Sequence, residues 1–304
     1  MSKRKTRTWP EAPEPLAGTV IDNHTHLPVH EMQIPRADGV RLPLEDQLER
    51  ARAAGITRIV SCACEVPDFD PMIALAAEHP QVRVALAIHP NEAALHAGHA
   101  DPSPDGLTPI PQAHHTMSLD EAINEVASRL HHPAVVAVGE TGLDHHRTAG
   151  PGRHAQKASF RAHLALAREA DLPLQIHDRD AHAETLAILR TDAHPDQPIV
   201  FHCFSGGAEM AGELAANGWY ASFAGPITYP GNGELREALK AMPRDLVLVE
   251  TDAPYLTPAP HRGSPNASYV MAHTVRAIAQ LWGIDEGAAC AQLSANTDAV
   301  YGMW

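Results

Sequence analysis

Along most of the chain, short apolar runs alternate with stretches whose apolar residues recur every three to four positions. The runs at 19–24, 58–63, 82–88, 134–139, 173–177, 198–202, 219–223 and 246–251 are rich in Val, Ile, Leu and Ala and predict eight strands. Between and after them, helical patterns fall near 43–55, 70–79, 119–131, 155–171, 181–191, 208–217, 234–241, 268–283 and 286–300. In the stretch LALAREADL, Leu164, Leu166, Ala167 and Ala170 share one face, while Arg168, Glu169 and Asp171 point elsewhere. Strand–helix alternation of this kind predicts an α/β protein with a parallel sheet. Eight repeats suit a (β/α)8 TIM barrel better than a doubly wound open sheet, whose usual strand count is lower.

Two segments depart from the pattern. Residues 1–18 read as a flexible, Pro-rich N-terminal arm, a solvated tail whose Lys3, Arg4, Lys5 and Arg7 are also able to touch an anionic partner. The arm lacks the apolar core of a signal peptide. Residues 19–304 then form a single barrel domain. Residues 97–117, with Pro102, Pro104, Pro109 and Pro111, read as a long loop before the fourth strand, either shaping substrate access or tolerated as a surface insertion.

Composition narrows the function. The formal net charge of −14 argues against bulk attraction to duplex DNA, so an anionic substrate must be held by metals and a few local cations. No run approaches the roughly 20 apolar residues that span a bilayer, so no membrane partner is expected. The four cysteines, Cys62, Cys64, Cys203 and Cys290, form no CxxC pair and read as reduced thiols of a cytoplasmic protein, with a Cys62/Cys64 metal site as the alternative. Of 21 histidines, His96, His99, His114, His115, His131 and His132 lie in loops or on helix flanks without a supporting pattern, and each alone reads as a surface residue.

Other histidines and carboxylates fall at strand ends, where a barrel places its reactive groups. His24 and His26, one residue apart in VIDNHTHL, project to the same side of an extended chain and can chelate one ion. Glu140 follows the apolar run AVVAVG; a carboxylate there is costly to bury without a cation or hydrogen bonds, and its two oxygens can bridge two metals. His177 ends PLQI and His202 ends PIVF, completing with Glu140 a plausible second metal pocket. Asp252 closes LVLVETD and can take a proton from an attacking water and return it to a leaving oxygen. The readings without chemistry are two polar residues leaving a strand, a rim Glu140 paired with a residue such as Arg179, and hydrogen-bonded core histidines.

From about residue 19 to the C-terminus, the segments IDNHTHL, AIHP, GETGLD, IHDRDA, FHCFSGG, ETDAPYLTP and LSANTDAVYG, in this order, resemble the TatD-like metal-dependent hydrolases of the amidohydrolase superfamily. The resemblance implies a (β/α)8 fold and two divalent ions (Mg2+, Mn2+ or Zn2+). His24, His26 and Asp252 would bind the first ion, Glu140 would bridge, and His177 and His202 would bind the second. It further implies hydrolysis of phosphodiesters by a two-metal-activated water. The expected enzyme is a deoxyribonuclease working from a 3′ end on DNA or another phosphodiester, with Asp252 and Glu140 as catalytic residues. His89, in AIHPN, corresponds to a family histidine able to contact a substrate phosphate, or to fix the rim loop; Arg262 is the matching phosphate-binding arginine.

The chain also departs from the family pattern. Asn23 stands where a small residue is usual, Pro28 where an acidic one is, and His145 and His146 where tyrosines are common. The basic RGKxNEP segment reads HRGSPNASYV, keeping Arg262 and Asn266 but placing Ser264 and Ala267 at the lysine and glutamate positions. Two alternatives stay open. One is an amidohydrolase-superfamily hydrolase of a small-molecule ester, amide or phosphoester, whose relatives commonly bridge their metals with lysine where this chain has Glu140. The other is a non-catalytic metal-binding protein, in which six ordered ligands would be idle.

Overall fold

The computed structural model describes residues 7–304; Lys3, Arg4 and Lys5 of the expected arm lie outside the described residues. Strands β1 (Val20–Thr25), β2 (Ile56–Ala63), β3 (Val82–Leu86), β4 (Val135–Asp144), β5 (Leu174–Arg179), β6 (Ile199–Phe201), β7 (Tyr220–Phe223) and β8 (Val247–Val249) form one sheet in chain order. The pairings are parallel. Among the described residues the helices are α1 (Leu44–Ala54), α2 (Val66–Glu78), α3 (Pro90–His96), α4 (Leu119–Ala127), α5 (Gly152–Glu169), α6 (His182–Asp192), α7 (Ala208–Ala216), α8 (Gly233–Ala241), α9 (Ala272–Trp282) and α10 (Glu286–Tyr301). This is the (β/α)8 barrel that the alternation predicts. No described helix is long and apolar enough to cross a membrane.

Helix α3 is absent from the sequence expectation. Its signature is a start signal rather than a periodicity: the His89 side chain accepts a hydrogen bond from the Asn91 N–H at 3.1 Å, and Pro90 occupies the first helical position. The sixth and eighth strands end earlier than their apolar runs, because the chain turns out of the ladder at Cys203 (φ 44°) and Asp252 (φ 53°). His202 and Asp252 thus lie just beyond strands.

Chain contacts gather the residues into two compact units. The first holds the described residues up to Ser61 with Gly206–Ala216 and Ala221–Trp304. In it β1 is buried throughout, polar residues included. The Asn23 amide donates to Val249 O at 2.9 Å and to Thr297 Oγ1 at 3.1 Å, so it ties β1 to β8 and α10 and gives the unusual Asn23 a structural role. Residues 7–18 pack along this unit rather than hanging free. Leu16 N–H donates to Ala54 O, Ala17 N–H to Glu286 Oε1, Tyr269 Oη–H to Pro10 O, and Arg276 to Glu14 O. The physical reason is that Pro10 and Leu16 bury apolar surface and the neighbouring backbone groups then find partners.

The second unit holds Cys62–Ser205 and Asn217–Tyr220. Val82, Val84, Ala85 and Leu86 of β3 are buried, as expected of a strand covered on both faces. Helix α5 packs a fully buried His163 beneath the end of this strand. Its Nδ1 donates to Ser159 O (2.8 Å) and its Nε2 accepts from the Ile88 N–H (3.1 Å), so one neutral tautomer satisfies both ring nitrogens. Burial therefore pulls the imidazole from 6.5 down to about 4.

Because the unfolded chain binds this proton at higher pH than the folded one, His163 lends its stability above pH 6.5 and withdraws it as pH falls toward 4. The contribution is about 3 kcal/mol. Denaturant unfolding between pH 7 and 4 should show that loss in the native protein and a flatter slope in His163→Gln. Equal slopes in the two proteins would contradict the assignment.

Candidate metal centre

Within the first unit, three sequence-predicted residues come together. His24 Nε2 lies 3.4 Å from His26 Nε2, and Asp252 Oδ1 lies 3.8 Å and 3.5 Å from those two nitrogens. Backbone bonds fix the arrangement: Asp252 N–H donates to His24 O (3.0 Å) and His26 N–H to Ala253 O (2.8 Å). Beneath them, buried Asp22 accepts from the Thr251 N–H (2.8 Å) and hydroxyl (2.6 Å), so the residue before Asp252 is held by the strand that carries the histidines. Burial pushes the Asp22 carboxyl up to about 7 against these hydrogen bonds.

The pairing register shows how His24 is aimed. Asp22 pairs with Ile59 and Thr25 with Ser61, so three steps on β1 face two on β2 and one residue is extra at the ligand position. Such a bulge re-aims a side chain.

Within the second unit, Glu140 is the hub. Its Oε2 lies 2.5 Å from His202 Nε2 and 3.0 Å from His177 Nδ1, and its Oε1 accepts from Cys64 Sγ at 3.6 Å. Burial alone would raise this carboxyl; the facing His202 and His177 reverse the effect and hold it well below the usual carboxylate range. His177 Nε2 reaches Asp144 Oδ2 at 3.2 Å. Burial disfavours the His177 cation, but its two carboxylate partners outweigh that and raise it to about 9. Asp144 also accepts from the His146 and Arg147 N–H groups and from the Asn91 amide.

Strand β4 repeats the device seen in β1. Val138 pairs with Leu174 and Thr141 with Ile176, leaving one extra residue around Glu140. Gly142, at φ 140°, lies so close to β5 that a Cβ would stand 2.1 Å from His177 O, so only glycine lets the strands that carry Glu140 and His177 approach here.

Of the two residues expected to touch substrate, His89 stands beside this set. Its ring centroid is 4.6 Å from that of His177, and burial lowers its basicity to about 4, leaving a neutral ring whose Nδ1 caps α3 and whose Nε2 carries the hydrogen. Arg262, in the first unit, is exposed and stacks its guanidinium over Tyr229 at 4.4 Å. Arg147 pairs with Asp105 of the Pro-rich loop at 3.0 Å. Cys62 and Cys64 do not turn toward a shared site: Cys62 Sγ donates to Gln175 Oε1, Cys64 to Glu140.

The sequence reading gave no role to Asp144, although it stands in GETGLD. Its signal was a carboxylate four residues after Glu140 on a buried strand. A second departure concerns histidines expected at the surface. His96 is buried, and His114 and His115 gather with it around Glu92.

Residues 21–302 match the family model described as TatD related DNase. The chain is 38% identical over 269 residues to an uncharacterized metal-dependent hydrolase, TatD, of Mycobacterium tuberculosis, covering 86% of this chain and 90% of the relative. It is 30% identical over 264 residues to the 3′-5′ ssDNA/RNA exonuclease TatD of Klebsiella pneumoniae, covering 85% and 92%. Among solved structures, the TatD homolog YJJV of Escherichia coli superposes with a TM-score of 0.76 at 26% identity, covering 94% of this chain and 98% of its own. With matched fold and a family model spanning nearly all of its length, the chain belongs to the TatD-related DNase family of metal-dependent hydrolases.

Proposed function

We propose that the protein hydrolyses phosphodiester bonds as a TatD-type deoxyribonuclease acting from a 3′ end. His24, His26, Glu140, His177, His202 and Asp252 would hold two divalent ions, Mg2+, Mn2+ or Zn2+. The observation that carries this reading is the pair of imidazole–carboxylate sets just described, each carried on strands or just beyond them in a barrel of this family. One relative, named the 3′-5′ ssDNA/RNA exonuclease TatD in Klebsiella pneumoniae, supports the same substrate class.

The donor set fits such ions: neutral imidazole and carboxylate suit Zn2+ and Mn2+, and carboxylates with water suit Mg2+. When bound, divalent ions supply electrophilic polarisation of phosphoryl oxygens and ease deprotonation of water. The chain's own residues do the rest. Asp252 Oδ1 accepts the proton of the attacking water as the new P–O bond forms, and returns it to the departing 3′ oxygen as the old bond breaks. Glu140 would help hold the ions with its two oxygens, and Asp144 orients His177 from behind. His89 offers an Nε2–H, and Arg262 its N–H edge, to the phosphate. With a net charge of −14, few phosphates are gripped beyond the reacting one. No disulfide joins the four cysteines, which suits a cytoplasmic enzyme.

On end-labelled single- and double-stranded DNA with each of the three ions, the native protein should shorten the strand from its 3′ end. Asp252→Asn should lower kcat by about 10^2 to 10^4-fold, the range of a lost general base. Wild-type turnover in that variant would remove Asp252 from the proton path. A native protein that cleaves no DNA with any ion, yet turns over small esters or phosphotriesters, would end the nuclease reading.

Arg262→Lys keeps the charge but loses the two-pronged fork, so KM for DNA should rise about tenfold while kcat holds. A fall in kcat with unchanged KM would mean that Arg262 acts on the transition state instead. Glu140→Ala should release bound metal, as measured by elemental analysis after gel filtration, and abolish cleavage; full metal retention would deny its bridging role.

A further inference from the structure

The segment 97–117 is short of apolar anchors: Leu107 and Ile110 are exposed, and its prolines forbid a long helix. Its last turn nevertheless closes tightly onto α3. Glu92, His96, His114 and His115 each bring one ligand-type atom within 4.8 Å of the others. Glu92 Oε2 lies 3.1 Å from His114 Nε2 and 2.6 Å from His115 Nε2; the ring centroids of His114 and His115 are 4.0 Å apart, and that of His96 lies 4.9 Å from His115 and 5.7 Å from His114. His96 is 5% exposed.

Hydrogen bonding assigns a different role to each imidazole. His96 Nδ1 donates to Met117 O at 2.9 Å, which leaves Nε2 as a bare lone pair. That Nε2 is buried and has no hydrogen-bond partner. A buried acceptor left unsatisfied is costly unless something occupies the position, and here the neighbouring groups are metal-ligand types. His115 Nδ1 accepts from the Gln112 N–H at 2.7 Å, which fixes its hydrogen on Nε2, donated to Glu92. His115 is thereby the partner that orients the carboxylate.

We propose that Glu92, His96 and His114 form a second metal site, separate in its residues from the proposed catalytic ligands, that takes a zinc-type divalent ion and staples the Pro-rich segment to α3. Two imidazoles and a carboxylate are a zinc donor set, with a fourth position for water, and His115 stands behind Glu92. The ion takes the place of the His114–Glu92 hydrogen bond and gives the His96 lone pair a partner. An ion here closes the loop from residue 96 to residue 114, which adds stability where the segment has little core of its own.

The test is a Zn2+ titration of chelator-stripped protein against a chromophoric competitor. It is run in the Glu140→Ala background, so that it does not depend on the nuclease reading, and in the native chain. His96→Gln and Glu92→Gln should each bind about one equivalent fewer than their parent with unchanged circular dichroism, whereas His115→Gln should keep the stoichiometry and weaken affinity about 10 to 100-fold. In the unsubstituted protein, Zn2+ should slow proteolytic cutting within 97–117. Equal stoichiometry and affinity in parent and His96→Gln, or no protection of the segment in the native chain, would overturn the proposal.

Discussion

A carboxylate buried in an apolar barrel cannot stay charged alone, and much of the second unit is arranged around that constraint. Glu140 is 4% exposed, and removing its charge from water would cost several kcal/mol if nothing answered it. The answer is His202 on one side and His177 on the other, with Asp144 holding the far edge of the His177 ring. Glu140 lies within β4, His177 within β5 and His202 just past β6, so satisfying Glu140 requires these three strands to keep a fixed register. The extra residue in β4 and the missing side chain at Gly142 are the local adjustments that make this possible.

The first unit solves the same problem with hydrogen bonds. Asp22 and Asn23 are polar residues inside a buried strand, and each is used to bind β1 to the chain around β8. Their neighbours His24 and Asp252 are positioned as a result: Thr251, clasped by Asp22, immediately precedes Asp252. Fixing these side chains from below in this way limits their rotamers, the support on which a functional constellation depends for its geometry. The left-handed turn at Asp252 carries its carboxylate back toward the histidines instead of onward along the strand.

The high histidine content divides by environment. His163 is a structural histidine, neutral and doubly bonded within the core. His89 caps a helix and stands against His177. His96, His114 and His115 form a cluster of their own around Glu92, at the base of a segment with few apolar contacts. Sequence position singled out His89 but read His96, His114 and His115 alike as surface residues, since an isolated His carries no periodicity to say whether its ring is capping, packing or ligating.

What the sequence determined by itself was the order and kind of the elements, because an apolar run of five to eight residues between amphipathic stretches can be buried in few ways. It also marked His24, His26, Glu140, His177, His202 and Asp252, since ligand-type residues ending such runs are rare by chance. The short helix α3 escaped, being too brief for a period and visible only through the His89–Pro90 start. Tertiary structure alone decided the role of Asp144, the tying of residues 7–18 to the first unit, and the gathering of His114 and His115 onto Glu92 and His96. Each of these depends on partners 18 or more residues away, and side-chain geometry across such separations leaves no trace in local pattern.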